Sequence, residues 1–401
     1  IVLGNDSAAV YGKNGTRLKN SGSITLGSNS VGVYNVGASS ETENIGIITL
    51  GNNSTGLYQN NGTNIINNGT INGTGTGAVG MYTDSNTGII NNTALINLQG
   101  DKSIGIYAMG STQNIINSGT IKLGNSSLMN DPSIGIYTNN TTDTIINTGN
   151  IEAGSRSLGI YSLGTQVDHV SGTIKAGSEG TGIYKDTGLL RIHSGAVIEA
   201  LAGEAAGLYG INGAGITADS GAIFNIGYGS YGIIAESGAT LLNSAAITLG
   251  DNSIFTYGNN SGGIVNNGAV NITGSDNTAF YMVKGGSIIN NANITGTAGT
   301  GNIGIYNRGV YTTEVLQADG TMKLEGLITE GYIENNADIT LGDSFLVTDA
   351  YGVKTGYSVG MYGEGSSVVN NGGRTISVGK EGVGIFASDA GTTSYNYGNI
   401  I

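Results

Sequence analysis

The chain has no cysteine, no tryptophan and a single proline, and only 11% of its residues are charged. Without cysteine there can be no disulfide framework and no thiolate metal site, so a stacked core of its own must supply the stability. One proline beside 72 glycines excludes collagen, which needs proline and a glycine at every third position. It points instead to extended segments joined by many tight turns, where nearly every backbone N–H is needed as a donor. The formal net charge is −13, thinly spread and with no basic cluster, which argues against nucleic acid and anionic membrane as partners. No apolar run reaches the length needed to span a bilayer. Disorder is excluded by the regular return of Ile, Leu and Val.

What the sequence does have is a repeat. A unit of the form I-I-N-x-G-x-I-x-L-G-x-x-S-x-G-I-Y recurs, most clearly from Ile115 to Tyr137, Ile145 to Tyr161 and Ile65 to Tyr82. Its closing aromatic falls at Tyr34, Tyr58, Tyr82, Tyr107, Tyr137, Tyr161, Tyr184 and Tyr209, then at Ile234, Tyr257, Tyr281, Tyr306, Tyr362 and Phe386. Most steps are 23 to 25 residues; the exceptions are 30 (Tyr107 to Tyr137) and 56 (Tyr306 to Tyr362). Each unit holds three β-rich runs of three to five residues, too short for helices and separated by helix-breaking Gly, Asn and Ser. Three strands and three turns per unit describe one coil of a β-helix. The expected fold is therefore all-β: a right-handed parallel β-helix of about 14 coils of 23–25 residues, right-handed because parallel crossovers nearly always are. Residues 1–401 read as one repeat region, with 307–332 and 343–357 inserted within one coil. Ile1-Val2-Leu3-Gly4 and Asn399-Ile400-Ile401 both read as mid-repeat, so a fragment of a longer chain is expected.

Alternation assigns the faces. Ile121 and Leu123 point into the core and Lys122 outward, in a column that runs Thr25, Thr49, Asn72, Asn97, Lys122, Glu152, Lys175, Glu199 and on to Thr248, Asn271, Thr295, Thr340 and Ser377. The alternating signs from Lys122 to Glu199 suit a solvated stacked face. A column of asparagines (Asn67, Asn91, Asn117, Asn147, Asn243, Asn266, Asn290, Asn335, Asn370) is expected to form an amide ladder, broken at Val170, His193 and Asp219. The tyrosine column reads as a self-stacking ladder, with glycan stacking as the rival reading.

The unit, as in Asn117-Ser118-Gly119-Thr120-Ile121-Lys122-Leu123-Gly124, resembles the passenger repeats of the very large fusobacterial type V autotransporter adhesins, the RadD-like group. The resemblance covers essentially the whole chain. It implies a passenger secreted through a C-terminal outer-membrane barrel absent from this sequence and displayed on the extracellular face of the outer membrane. It further implies attachment to host receptors or glycans, or to partner bacteria. Crossing the outer membrane unfolded suits a chain without disulfides.

β-Helix enzymes that cleave polysaccharides place carboxylates, often with Arg or Lys, on neighbouring coils. The richest such region is Glu152 to Glu204, with Arg156, Asp168, His169, Lys175, Glu179, Lys185, Asp186, Arg191, His193 and Glu199. His169 and His193 lie one coil apart, but strand parity sends them to opposite faces, so a histidine pair is not expected. There is no calcium-binding G-G-x-G-x-D repeat, nucleophile elbow or phosphate loop, and neither catalysis, a metal nor a cofactor is expected. Insertions carry the better functional signal, because they project as loops from a rigid scaffold. Val310 to Glu325 reads as a protruding hairpin with an Asp319-Gly320 turn, and Asp343 to Tyr357 as a second loop. Tyr311, Lys323, Phe345, Asp349, Tyr351, Lys354 and Tyr357 are the candidate ligand-binding residues. Ser127 to Pro132 reads as a longer turn. The expected function is surface adhesion by loop recognition of protein or glycan; the rivals are a polysaccharide-degrading β-helix enzyme and an inert spacer.

Overall fold

A computed structural model describes the chain apart from residues 112–113, 140–143, 202, 318–321, 346, 349–353 and 390–391, and apart from the side chains of 354–355. No helix occurs among the described residues. The chain falls into two compact units, Ile1–Tyr209 and Gly210–Ile401, and each is a parallel β-solenoid with three strands per coil.

One coil shows the logic. Ile104–Met109 forms the first strand, Ile115–Asn117 the second and Thr120–Leu123 the third. Each pairs in parallel with its counterpart on the next coil: Tyr107 with Tyr137, Asn117 with Asn147, Ile121 with Ile151. Three sheets result, here named the tyrosine, asparagine and third sheets. Successive coils satisfy each other's backbone groups, as parallel ladders do, which is why proline is nearly absent. The register puts Tyr11 opposite Tyr34, so one coil precedes the first that the aromatic spacing reveals.

The core is aliphatic. Ile106, Ile115 and Ile121 are buried, as are their equivalents on neighbouring coils. In the second unit Phe255 stacks edge-on against Phe224 and Phe280. The glycine of S-x-G-I-Y is a close approach: a Cβ on Gly105 would lie 2.5 Å from the Gly135 carbonyl oxygen and 2.8 Å from Ile121 Cγ2. The serine of the same motif is buried and bonds between coils. Ser30 N–H donates to Ser54 Oγ at 3.0 Å, and Ser54 Oγ donates to the Gly27 carbonyl at 2.7 Å. Asn277 and Asn302 take over this role in the second unit, where Ser253 N–H donates to Asn277 Oδ1 at 2.9 Å and Asn277 N–H to Asn302 Oδ1 at 3.0 Å.

The asparagine ladder exists, with one rung and its breaks shifted by a residue from the sequence expectation. Side-chain amides donate to the next coil from Asn20 to Asn44, Asn67, Asn92, Asn117 and Asn147, each Nδ2–Oδ1 distance 2.7–2.9 Å. The rung is Asn92; Asn91 faces the other way, beside Ile66 and Ile116. In Ile90-Asn91-Asn92 either asparagine is compatible with the motif, and pairing with Asn67 and Asn117 decides. Likewise His169 and Ile192, not Val170 and His193, occupy the ladder position, and Ala218 rather than Asp219 precedes Asn243. A second run links Asn243, Asn266, Asn290, Asn335, Asn370 and Asn396.

The outward column of the third sheet follows the expected register. Lys122 pairs with Glu152 and Glu152 with Lys175, and Lys175 pairs with Glu199. The Lys122 ammonium lies 3.0 Å from the Glu152 carboxylate.

Candidate functional site

The tyrosines stack face to face from Tyr11 to Tyr161, with centroids 4.6 to 5.6 Å apart. A ring in such a stack has both faces covered by its neighbours and offers mainly its edge. Burial in the stack raises the Tyr58, Tyr82 and Tyr107 phenols above their ordinary value. A continuous sugar-stacking stripe is therefore disfavoured by geometry, because sugars need a ring face.

The second unit ends this arrangement. Tyr281 and Tyr306 still stack at 4.5 Å and 12°. Tyr362 then turns edge-on to Tyr306, at 75°, and Phe386 edge-on to Tyr362, at 64°. The turn coincides with the two insertions. At this place the surface carries a cleft of about 710 Å³, lined by Asp276, Thr278, Ile303, Tyr357, Val359, Tyr362, Val383 and Phe386. That size falls within the range of small-ligand sites, and an apolar lining with a few polar groups is their usual make-up.

Both insertions are pinned at their bases. Val310–Leu316 pairs antiparallel with Met322–Thr329. Tyr311 is buried, its ring against Gly365, and its hydroxyl donates to the Asp389 carboxylate. Burial and that carboxylate push the phenol far above its ordinary value. Beside it, the Tyr306 hydroxyl donates to Glu364 Oε2 at 2.7 Å, and Arg308 Nη2 donates to Glu314 Oε2 at 3.2 Å. Farther out the hairpin is bare: Leu316 is 68% and Ile328 62% exposed. In the second insertion Ser344 Oγ donates to the Glu381 carbonyl at 2.9 Å, and Ser358 Oγ to the Asp343 carbonyl at 2.8 Å. Val347–Thr348 pairs antiparallel with Lys354–Thr355.

The candidate residues thus separate. Tyr357 lines the cleft. Phe345 stands exposed on the second loop. Lys323 lies on the hairpin, its ammonium 2.9 Å from Glu325. Tyr311 sits inside the junction and braces the hairpin. Asp349, Tyr351, the side chain of Lys354 and the Asp319-Gly320 turn lie outside the described residues. Sequence reading missed Asp276, Thr278, Tyr362 and Phe386 as cleft residues; the 56-residue step between Tyr306 and Tyr362 was their only signal.

The carboxylate-rich stretch from Glu152 to Glu204 is largely consumed by pairing. Arg156 grips Glu179 through two bonds of 2.8 and 2.9 Å. Glu152 pairs with Lys122, and Asp168 accepts from Gln166 at 3.0 Å and faces His193 Nε2 at 3.3 Å. His169 turns inward, as parity requires, and His193 bonds on the outer side. No group of three or more metal-ligating side chains occurs among the described residues.

The family model of the BigA third pectate lyase-like domain matches residues 2–203 and 253–401. The intervening stretch contains Ala218 and Ile234, where the asparagine and tyrosine columns both lapse. No curated protein and no solved structure matches the chain significantly. With three parallel sheets, a matched core and the motif's residues in its ladders, the chain belongs to the BigA third pectate lyase-like domain family, a domain type of bacterial surface proteins.

Proposed function

We propose that this chain is a segment of a surface-displayed bacterial adhesin, a passenger of the fusobacterial autotransporter kind, and that it binds its target through the cleft beside Tyr362. The observation that carries the reading is the turned aromatic pair. The face-to-face stack that runs from Tyr11 to Tyr161 gives way to edge-on rings at Tyr362 and Phe386, and both of these rings line a cleft together with Tyr357 of the second insertion. Aromatic groups beside a carboxylate and a hydroxyl suit a sugar ring or a protein side chain. The partner is a host receptor, a host glycan or another bacterium. The location is the extracellular face of the outer membrane, with anchoring by a C-terminal barrel. The chain acts by recognition and without catalysis, since the paired carboxylates of its charged stretch serve the scaffold.

Arrays of glycans and of host receptor ectodomains, probed with the purified chain, test this. Saturable binding that falls at least tenfold in Phe386→Ala, with folding intact, is the expected outcome. Binding unchanged in Phe386→Ala would remove the cleft from the account, and no binding anywhere would favour a spacer. Release of soluble sugars would favour a polysaccharide-cleaving enzyme.

A further inference from the structure

We infer that His169 is a proton-operated terminator of the asparagine ladder in the first unit, so that acid opens the coils around it while neutral pH keeps them closed. The ladder has a direction. Every rung donates through Nδ2 and accepts through Oδ1, from Asn20 as far as Asn147. The last donor needs an acceptor, and the next coil supplies an imidazole in place of an amide. His169 is fully buried, its Nδ1 lies 3.0 Å from Asn147 Nδ2, and its Nε2 lies 3.1 Å from the Val197 carbonyl oxygen. Only one tautomer satisfies both contacts: Nε2 carries the hydrogen and donates to Val197, and Nδ1 accepts from Asn147. The following position is Ile192, which can neither donate nor accept.

A proton on Nδ1 sets two donors against each other. The amide of Asn147 cannot simply rotate to meet it. Its Nδ2 also donates to the Gly149 carbonyl at 3.0 Å, and its Oδ1 accepts from Asn117 at 2.7 Å. Rotation would break both bonds and pass the mismatch back along Asn117, Asn92, Asn67, Asn44 and Asn20. The other acceptor near Nδ1 is the Asn147 carbonyl, at 3.4 Å, and it already takes the Val170 N–H at 2.8 Å. A buried donor left without a partner is the costly case for a hydrogen bond.

The charged and titratable groups around this point are on the outer face, apart from Lys185, which is buried within the same coils and held by Ser162 and Thr165. Asp168 and Arg191 are paired in register on the asparagine sheet, His193 lies against Asp168, and Lys175 and Glu199 are paired on the third sheet. Burial depresses His169 below the ordinary imidazole value. The sign follows. A base with a depressed folded value lets the unfolded chain bind the proton first. Stability is therefore full above the ordinary imidazole range near ~6.5 and is lost as pH falls through and below it.

Hydrogen exchange on the intact chain, corrected for the intrinsic pH effect on exchange, tests the inference. The amides of residues 145–147 and 167–176 should lose at least tenfold in protection between pH 7.5 and pH 4.5. His169→Asn, which can accept from Asn147 as the other rungs do, should keep protection at both pH values, while His193→Gln should behave as wild type. Equal protection of the wild type at both pH values, or the same acid loss in His169→Asn, overturns the inference. If His169→Asn fails to fold, nitrogen NMR of the wild-type histidines decides. Opening that tracks protonation of His169 supports the inference, whereas opening before the ring titrates, or titration without opening, contradicts it.

Discussion

Asn67 and Asn92 stand on successive coils with Nδ2 of the first 2.8 Å from Oδ1 of the second, both side chains fully buried. That bond fixes the register of its strand, because a slip of one residue would bring in Asn91 from the opposite face. Replacing Asn92 with Ala strands the Asn67 donor and removes the donor to Asn117. A loss of about 2–4 kcal/mol is expected. Asn91→Ala should stay within roughly 0.5–1 kcal/mol of wild type. Chemical denaturation of the two variants side by side checks the difference.

Lys185 is fully buried on the core side of the tyrosine sheet, with its ammonium 3.2 Å from Ser162 Oγ and also donating to the Thr165 carbonyl. Burial pushes it down to about 8. Below that value the charge is carried in both folded and unfolded states, and the folded state bears a cost on the order of 3 kcal/mol. As pH rises from about 8 towards the ordinary lysine value of ~10.4, the unfolded chain binds more protons and stability increases. Lys185→Met should melt higher than wild type at pH 7, and the gap should narrow as pH rises through this window. Thermal melts at pH 7, 8.5 and 9.5 report it; a constant gap would show that the charge is not the cause.

Gly105→Ala forces a methyl to within 2.5 Å of the Gly135 carbonyl oxygen, where backbone and not a flexible side chain must yield. The expected loss is about 1–3 kcal/mol, as for other overpacked sites. Gly4 is a fair control, since a Cβ there meets nothing within 4 Å.

Tyr311→Phe keeps the ring against Gly365 but deletes the hydroxyl that holds Asp389. The hairpin base should loosen, by about 1.5–3 kcal/mol for a bond to a charged group, with the core scarcely touched. Limited proteolysis should then cut within 310–329 sooner than in wild type, while the melting of the solenoid moves little.

The coil, its three strands and its core columns were legible because each depends on a period of two along strands and of about two dozen along the chain. Ile121 and Lys122 need only alternation to be placed. The ladder position was less legible where two asparagines adjoin, at Asn91 and Asn92, because only the partner coil breaks the tie. His169 could be assigned to a face but not to the ladder, since a drifted repeat allows either neighbour. The cleft was hardest to foresee. Asp276, Ile303, Tyr362 and Phe386 are ordinary repeat positions, and what sets them apart is the rotation of two rings beside an insertion. Tyr311 shows the converse: an aromatic in an insertion suggests recognition, yet its burial makes it a brace.

The most direct test of the account is adhesion itself. Beads carrying the intact chain, its Phe386→Ala variant or its Asp276→Asn variant would be counted on host cells and on partner bacteria under flow. Firm attachment of the wild-type beads is expected, with clear loss for both cleft variants, each of which should leave the melting temperature nearly unchanged. Attachment that is equal for all three, or absent for the wild type, would contradict recognition at the cleft.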